Sequence, residues 1–206
     1  MRKINSKNCL ENDLKYVFAD SSYYICFIEE LEHETCYNFL EYYNFGIGNR
    51  VLFEIRKILK AEINSKLNYF DFSDLDYFQL FSPLLSNLEK NKTKGEFEMI
   101  GLSLFCLENN QLQYLVLDDD TAKKFVKRYF KHIKPYLTGT IGLIGNSSLD
   151  GFISSSKAIS MLKEIIELIE SYDNMENNKF PCNLSKKSYK KIICPEIEFL
   201  RGKNNG

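Results

Sequence analysis

Two runs in this 206-residue chain restrict its fold more than anything else in it: "YVFAD" at 16–20 and "QYLVLD" at 113–118. Both are apolar through most of their length, and both stop at an aspartate. A strand wetted on one side alternates apolar with polar residues, whereas a strand covered on both sides does not. Strands of the second kind belong to parallel sheets whose crossover helices lie on the two faces. Segments of helical spacing between the runs supply those crossovers. The pattern therefore predicts an α/β fold, three-layer α/β/α with a central, mainly parallel sheet, over residues 14–172. A helical, basic C-terminal extension is expected over 173–206.

The other elements follow from the same periodicities. Further strands are expected at "NFGIG", "LNYFDF" and "KPYLTG", the last turning through Gly139. Helices are expected at "ETCYNFLEYY", "NRVLFEIRKILK", "SDLDYFQLFSPLLSNLEK" (broken near Pro83), "DTAKKFVKRYFKHI" and "SSSKAISMLKEIIELIESY". "KGEFEMIGLSLFCLENN" reads as a helix halted by its Asn pair. The tail reads as helical up to Pro195. Aromatic residues make up 14% of the chain, and none is Trp, so the core should be rich in Phe and Tyr. The pairs Tyr23–Tyr24 and Tyr42–Tyr43 are expected in that core or on a partner surface.

A net charge of −1 excludes a uniformly basic nucleic-acid coat but allows a local basic strip. No stretch reaches the roughly 20 apolar residues of a membrane span, and the polar start "MRKINSKNCLEND" has no apolar signal core. A cytosolic protein with no membrane partner is expected. The 6 cysteines are scattered without a C-x-x-C pair and read as free thiols. The 2 histidines stand far from Cys182 and Cys194, so a zinc site and histidine-based catalysis are both poorly supplied.

In a doubly covered parallel sheet, ligands sit beyond the carboxyl ends of the strands. Asp20 and Asp118 both stand there. Two more acids can join them: Glu54 within "VLFEIRK" and Glu96 opening the helix "GEFEMIGLSLF". Each has an ordinary reading alone, Glu96 as a favourable charge in a first helical turn and Glu54 as a solvated partner of a nearby base. Of the three consecutive acids at 118–120, Asp120 reads as the cap of the helix that follows.

Taken together, "VFADSSYYICFI", "VLFEI", "GEFEMIGLSLF", "LVLDDDTAKKFV" and "TGTIGLIGNSSLDGFI" resemble the PIN domain family of metal-dependent nucleases. The likeness is to the branch whose second half runs DDxxAR…GTxGLL. It spans roughly Tyr16 to Glu170, and its last two segments are the most specific. The resemblance implies an endoribonuclease whose catalytic acids are Asp20, Glu54, Glu96, Asp118 and Asp119. Asp20, Glu96, Asp118 and Asp119 would hold Mg2+ or Mn2+, and Ser22 and Thr140 match small hydroxyl positions near the site. Lys123 departs from the family's usual Arg, and the tail is longer than a minimal domain requires.

The chemistry is coherent without the name. Converging carboxylates repel one another and take up protons unless a cation relieves them. Hard divalent ions prefer such oxygen donors, and paired ions roughly 3.5–4 Å apart can activate water and steady a leaving oxygen. The helix after Asp120 presents Lys124, Lys127, Arg128 and Lys131 on one face, suited to the phosphates of an RNA substrate. "KKSYKK" at 186–191 is a second basic run. The implied partners are single-stranded RNA and an antitoxin or other inhibitory protein, with a homodimer also compatible. The serious rival is a catalytically silent relative that serves as a binding module in a larger complex. A receiver domain places its acid pair at the first strand, and a haloacid-dehalogenase-type phosphatase needs Asp-x-Asp where this chain has "DSS".

Overall fold

The structure, a computed structural model, describes residues 13–26, 41–55, 69–72, 83, 85, 94–171 and 186–203. The helices expected at 34–43 and 73–90 lie largely outside these residues. Contacts group the chain into two compact units, 1–137 and 138–206. The division falls well before the boundary expected at 172/173.

The fold is α/β, of the three-layer α/β/α class, as the apolar runs predicted. Its sheet holds strands β1 (Tyr16–Ala19), β2 (Asn44–Ile47), β3 (Tyr69–Asp71) and β4 (Leu112–Val116), all parallel, in the order β3-β2-β1-β4. A two-residue strand, β5 (Leu137–Thr138), follows β4 in that order, where the first unit ends. Every residue of β1 is buried, which is why its sequence does not alternate.

The helices of the first unit are α1 (Ser21–Ile25), α2 (Asn49–Ile55), α3 (Lys94–Glu108) and α4 (Asp120–Tyr129). Asn110 stops α3 as its sequence suggested: it takes φ 57°, a left-handed value that Asn tolerates better than most residues. A short 3-10 helix (Lys134–Tyr136) follows α4.

Aromatic packing ties the strands together across their neighbours. The Phe18 ring lies over Gly46 of β2, where any Cβ would collide with it. This opening lets Phe18 meet Phe72 edge-on with ring centroids 5.2 Å apart, and Tyr16 meets Phe70 at 5.1 Å. Elsewhere Tyr23 stacks on Phe45 at 5.2 Å, and Tyr43 meets Tyr114 edge-on at 6.1 Å. Such pairs add about 0.5–1.5 kcal/mol each beyond area burial. Tyr23, Tyr24 and Tyr43 are core residues, as expected, while Tyr42 is 37% exposed.

The second unit consists of α5 (Thr140–Leu149), α6 (Ser155–Ser171) and α7 (Lys186–Lys203). Ile144, Leu162, Ile165, Ile193 and Leu200 are fully buried. Pro195 does not end the tail helix as expected; α7 runs through it. The backbone bond that an interior Pro removes costs about 3 kcal/mol. Burying Ile193, Ile197 and Leu200 on one face offsets that, at about 1.5–3 kcal/mol per side chain. Glu196, facing Gly145 of α5, has its carboxyl pushed up by burial.

Cys106 and Cys194 stand outside any disulfide, as expected, whereas Cys26 is disulfide-bonded. Its partner cysteine lies outside the described residues. No helix among the described residues is long and apolar enough to cross a membrane.

Candidate functional site

The chain runs from β1 outward to β2 and β3, then returns to β4 on the other side of β1. Strand order therefore reverses between β1 and β4, and in open parallel sheets the crevice at such a reversal is where ligands bind. Asp20 and Asp118 follow these two strands by one and two residues, and Asp20 N–H still donates to Val116 O across them at 3.1 Å.

Asp20 holds the junction together. Its Oδ1 accepts from Tyr23 N–H at 3.2 Å, which caps α1, and its Oδ2 accepts from Asp118 N–H at 3.0 Å. One carboxylate thus fixes both the start of a helix and the end of a strand nearly a hundred residues away. It is also completely buried. Burial first, then the charges of Asp118 and Glu96, hold its carboxyl well above the usual carboxylate range despite those two amides.

Glu96 stands in the first turn of α3. A helix that feeds a parallel strand must begin at the strands' carboxyl edge, and this brings Glu96 to Asp20. Its carboxyl is raised from 4.5 to about 7 by burial, then by the charges of Glu54 and Asp119. Glu54, on the exposed side of α2, reaches the same place because Gly95 has no side chain. A Cβ there would stand 2.9 Å and 3.1 Å from the two Glu54 carboxylate oxygens.

Asp119, not Asp120, caps α4: its Oδ1 accepts from Ala122 N–H at 2.7 Å. This corrects the expected division of the acid run. Asp120 is the exposed first residue of the helix, where its charge favours the helix dipole. Asp119 both caps and contributes charge to the cluster.

All five expected acids thus lie in one electrostatic neighbourhood. As placed, they are spread around it: among the described residues, no three His, Cys, Asp or Glu side chains converge closely enough to hold an ion by themselves. Ser22 is half-buried in α1, and Thr140 is the buried first residue of α5, in the second unit. Lys124, Lys127 and Arg128 are exposed on α4, whereas Lys131, also exposed, lies in the turn beyond the end of the helix at Tyr129, so the expected helical face does not reach it. The Arg128 guanidinium lies 5.1 Å from the centre of the Tyr129 ring, itself 49% exposed.

Two residues escaped the sequence reading. Glu98 is fully buried on α3, and its Oε2 accepts from Arg50 N–H at 2.9 Å and Val51 N–H at 3.4 Å. It clasps the start of α2 to α3 and so sets Glu54 against Glu96. The available signal was an acid inside the apolar run "FEMIG", since a buried carboxylate must find donors. The other is Phe53, 78% exposed beside Glu54.

No protein-family model, curated protein or solved structure matches this chain.

Gly95→Ala separates the site from the fold. Removing glycine from a helix gains up to about 1 kcal/mol, and the exposed Glu54 side chain can swing aside at little cost, while a Cβ at 95 also stands 3.2 Å from Cγ2 of the buried Val51, which must give slightly. The two effects oppose each other, so the variant should melt within a few degrees of the parent. The Glu96 carboxyl should titrate at lower pH in an NMR titration, because a charge that raises it has moved away. An unchanged Glu96 titration would show that Glu54 does not act on it.

Proposed function

We propose that this protein is a divalent-metal-dependent endoribonuclease that hydrolyses phosphodiester bonds of single-stranded RNA. The observation that carries the reading is the buried Asp20 carboxylate at the strand-order reversal, facing Asp118 and Glu96, a concentration of carboxylates that suits a cation. The donor set is all oxygen, which suits Mg2+ or Mn2+. Mg2+ keeps several waters and is commonly held by one or two carboxylates plus substrate phosphate, so spread-out carboxylates fit it.

Asp20, Glu96, Asp118 and Asp119 would supply the donors, one or two of them to the ion itself and the others to its waters, with Glu54 setting the local charge. When bound, it supplies an activated water and stabilises the charge that develops on the leaving oxygen. Asp20 keeps Asp118 in position through the Asp118 amide, and Glu98 keeps α2 against α3. The exposed bases of α4 would take the RNA backbone. Replacing Lys124 and Lys127 by Ala should weaken RNA binding and lower the salt slope by about 1.4, near 0.7 for each phosphate that no longer has a cation against it. An unchanged slope would place the RNA elsewhere.

The activity is proposed for the cytosol, where an antitoxin-like protein could restrain it. The direct test is incubation of the purified chain with a mixed RNA pool and Mg2+ or Mn2+. Wild type should cleave, a chelator should stop it, and Asp118→Asn should be inactive while melting normally. Cleavage by purified Asp118→Asn, or none by wild type, overturns the reading in favour of a silent binding module.

A further inference from the structure

α7 carries two apolar stripes, where a helix packed on one side needs only one. Ile193, Ile197 and Leu200 form the buried stripe. Ile192, Pro195 and Phe199 form the other, at steps of three and four residues that keep them on one face of the helix. This second stripe looks outward: Ile192 is 43% exposed, Phe199 is 48% exposed, and Pro195 is exposed between them. Single exposed apolar residues are common, but a row of them along a helix marks a contact surface. On α5, Gly145 faces Glu196 of α7, and Leu149 one turn further on is exposed as well, which adds apolar surface on that edge.

The charges beside the outer stripe indicate what covers it. Lys191 and Glu198 flank it on one side, Glu196 and Lys203 on the other. The Lys203 ammonium lies 5.5 Å from the centre of the Phe199 ring. On each flank the sign reverses along the helix, so the face is complementary to itself. Beside a second copy running the same way, Lys191 meets Glu196 of the other copy, and Glu198 meets its Lys203. Flanking charges make such pairs between parallel helices that share a seven-residue apolar seam, here from Ile192 to Phe199. A copy turned the opposite way about Pro195 would set Glu196 against Glu196, like against like.

We propose that the outer face of α7 is a self-association surface, on which two copies of this chain pair through parallel α7 helices about a two-fold axis. This goes beyond the nuclease reading and does not depend on it. Ile192 and Phe199 supply the contact that excludes water, and the four flanking charges of each copy select a second copy of the same helix. One helix per copy makes a small interface, so the dimer should be reversible and should form as concentration rises.

The test is sedimentation of the full chain from nanomolar to well above micromolar concentration. Wild type should pass from monomer to dimer. Phe199→Glu and Ile192→Glu, both at exposed positions, should weaken the dimer about tenfold or more and, in dilute solution, should melt with the parent. Glu198→Lys should weaken it too, and adding Lys203→Glu should restore it. Rescue of that kind comes only from contact between copies, because residues five apart on one helix do not face each other.

A wild type that stays monomeric throughout overturns the proposal, and a lower melting temperature for Phe199→Glu would then show the stripe covered by the chain itself. A dimer that survives both Phe199→Glu and Ile192→Glu lies on another face and overturns it equally. Failure of Lys203→Glu to rescue Glu198→Lys overturns the parallel pairing.

Discussion

Asp20→Asn should reduce metal-dependent RNA cleavage by more than about 100-fold while costing no more than about 1–3 kcal/mol of stability. Changing a group that merely supports a metal ligand costs 10–100-fold, and Asp20 is expected to be a ligand itself. The fold needs less from this residue than the chemistry does. Its two structural bonds, from Tyr23 N–H and Asp118 N–H, ask only for acceptors. Asn caps helices about as well as Asp, and its single carbonyl oxygen can keep the cap, but its NH2 then faces the Asp118 N–H, donor against donor, at a cost of about 1–3 kcal/mol.

What Asn cannot supply is the charge, and in the metal-free protein that charge is a burden. Burial and the neighbouring carboxylates hold the Asp20 carboxyl well above its ordinary range, and a neutral amide is free of that cost. Melting curves and cleavage assays on one preparation decide the matter. A large fall in melting temperature alongside abolished activity would mean that Asp20 serves structure first.

The second large effect is on stability. In a chelator, the melting temperature should fall as the pH rises from about 4.5 to about 7, and Mg2+ or Mn2+ should reverse the trend. Glu96 is raised in the folded chain to about 7 from 4.5. Between those values the folded state binds more protons than the unfolded one. Its contribution is therefore fully present at low pH and is lost as pH climbs through 7. Asp20 acts in the same direction from 3.8 upward.

The Glu96 interval corresponds to at most about 3 kcal/mol, or about 5–10 °C in a chain of this size. A cation that binds the ionised cluster restores stability by mass action, about 2.7 kcal/mol at one hundred times its dissociation constant. Glu96→Gln should flatten both responses. A metal-free melting curve that rises through this window would refute the electrostatic picture of the site.

The layout of the sheet was legible because burial on both faces leaves a plain mark: β1 is apolar at every position, and β4 ends at its aspartates. Asn110 was legible for a local reason, since few other residues tolerate a left-handed stop. The features that escaped depend on distant partners. Any of the three acids at 118–120 could cap a helix, and only the approach of β4 to α4 selects Asp119. Pro195 looked like a stop because the packing that carries α7 past it comes from other helices. Glu98 looked like one acid among many, since Arg50 and Val51 lie almost fifty residues away. The pairing of Cys26 has no local signature. For the site, the acids could be named from the motif, but their spread-out placement could not, because it depends on how α2 and α3 meet.

That meeting has a practical consequence for experiments in salt. The clasp between α2 and α3 is a buried carboxylate held by peptide N–H groups, and mobile ions screen such contacts far less than they screen exposed charges. Ionic strength should therefore act on the proposed contacts between the α4 bases and RNA, and on the exposed Glu54 charge, while leaving the α2–α3 clasp in place. A salt titration of this protein reads its exposed charges, and the buried Glu98 clasp stays still beneath them.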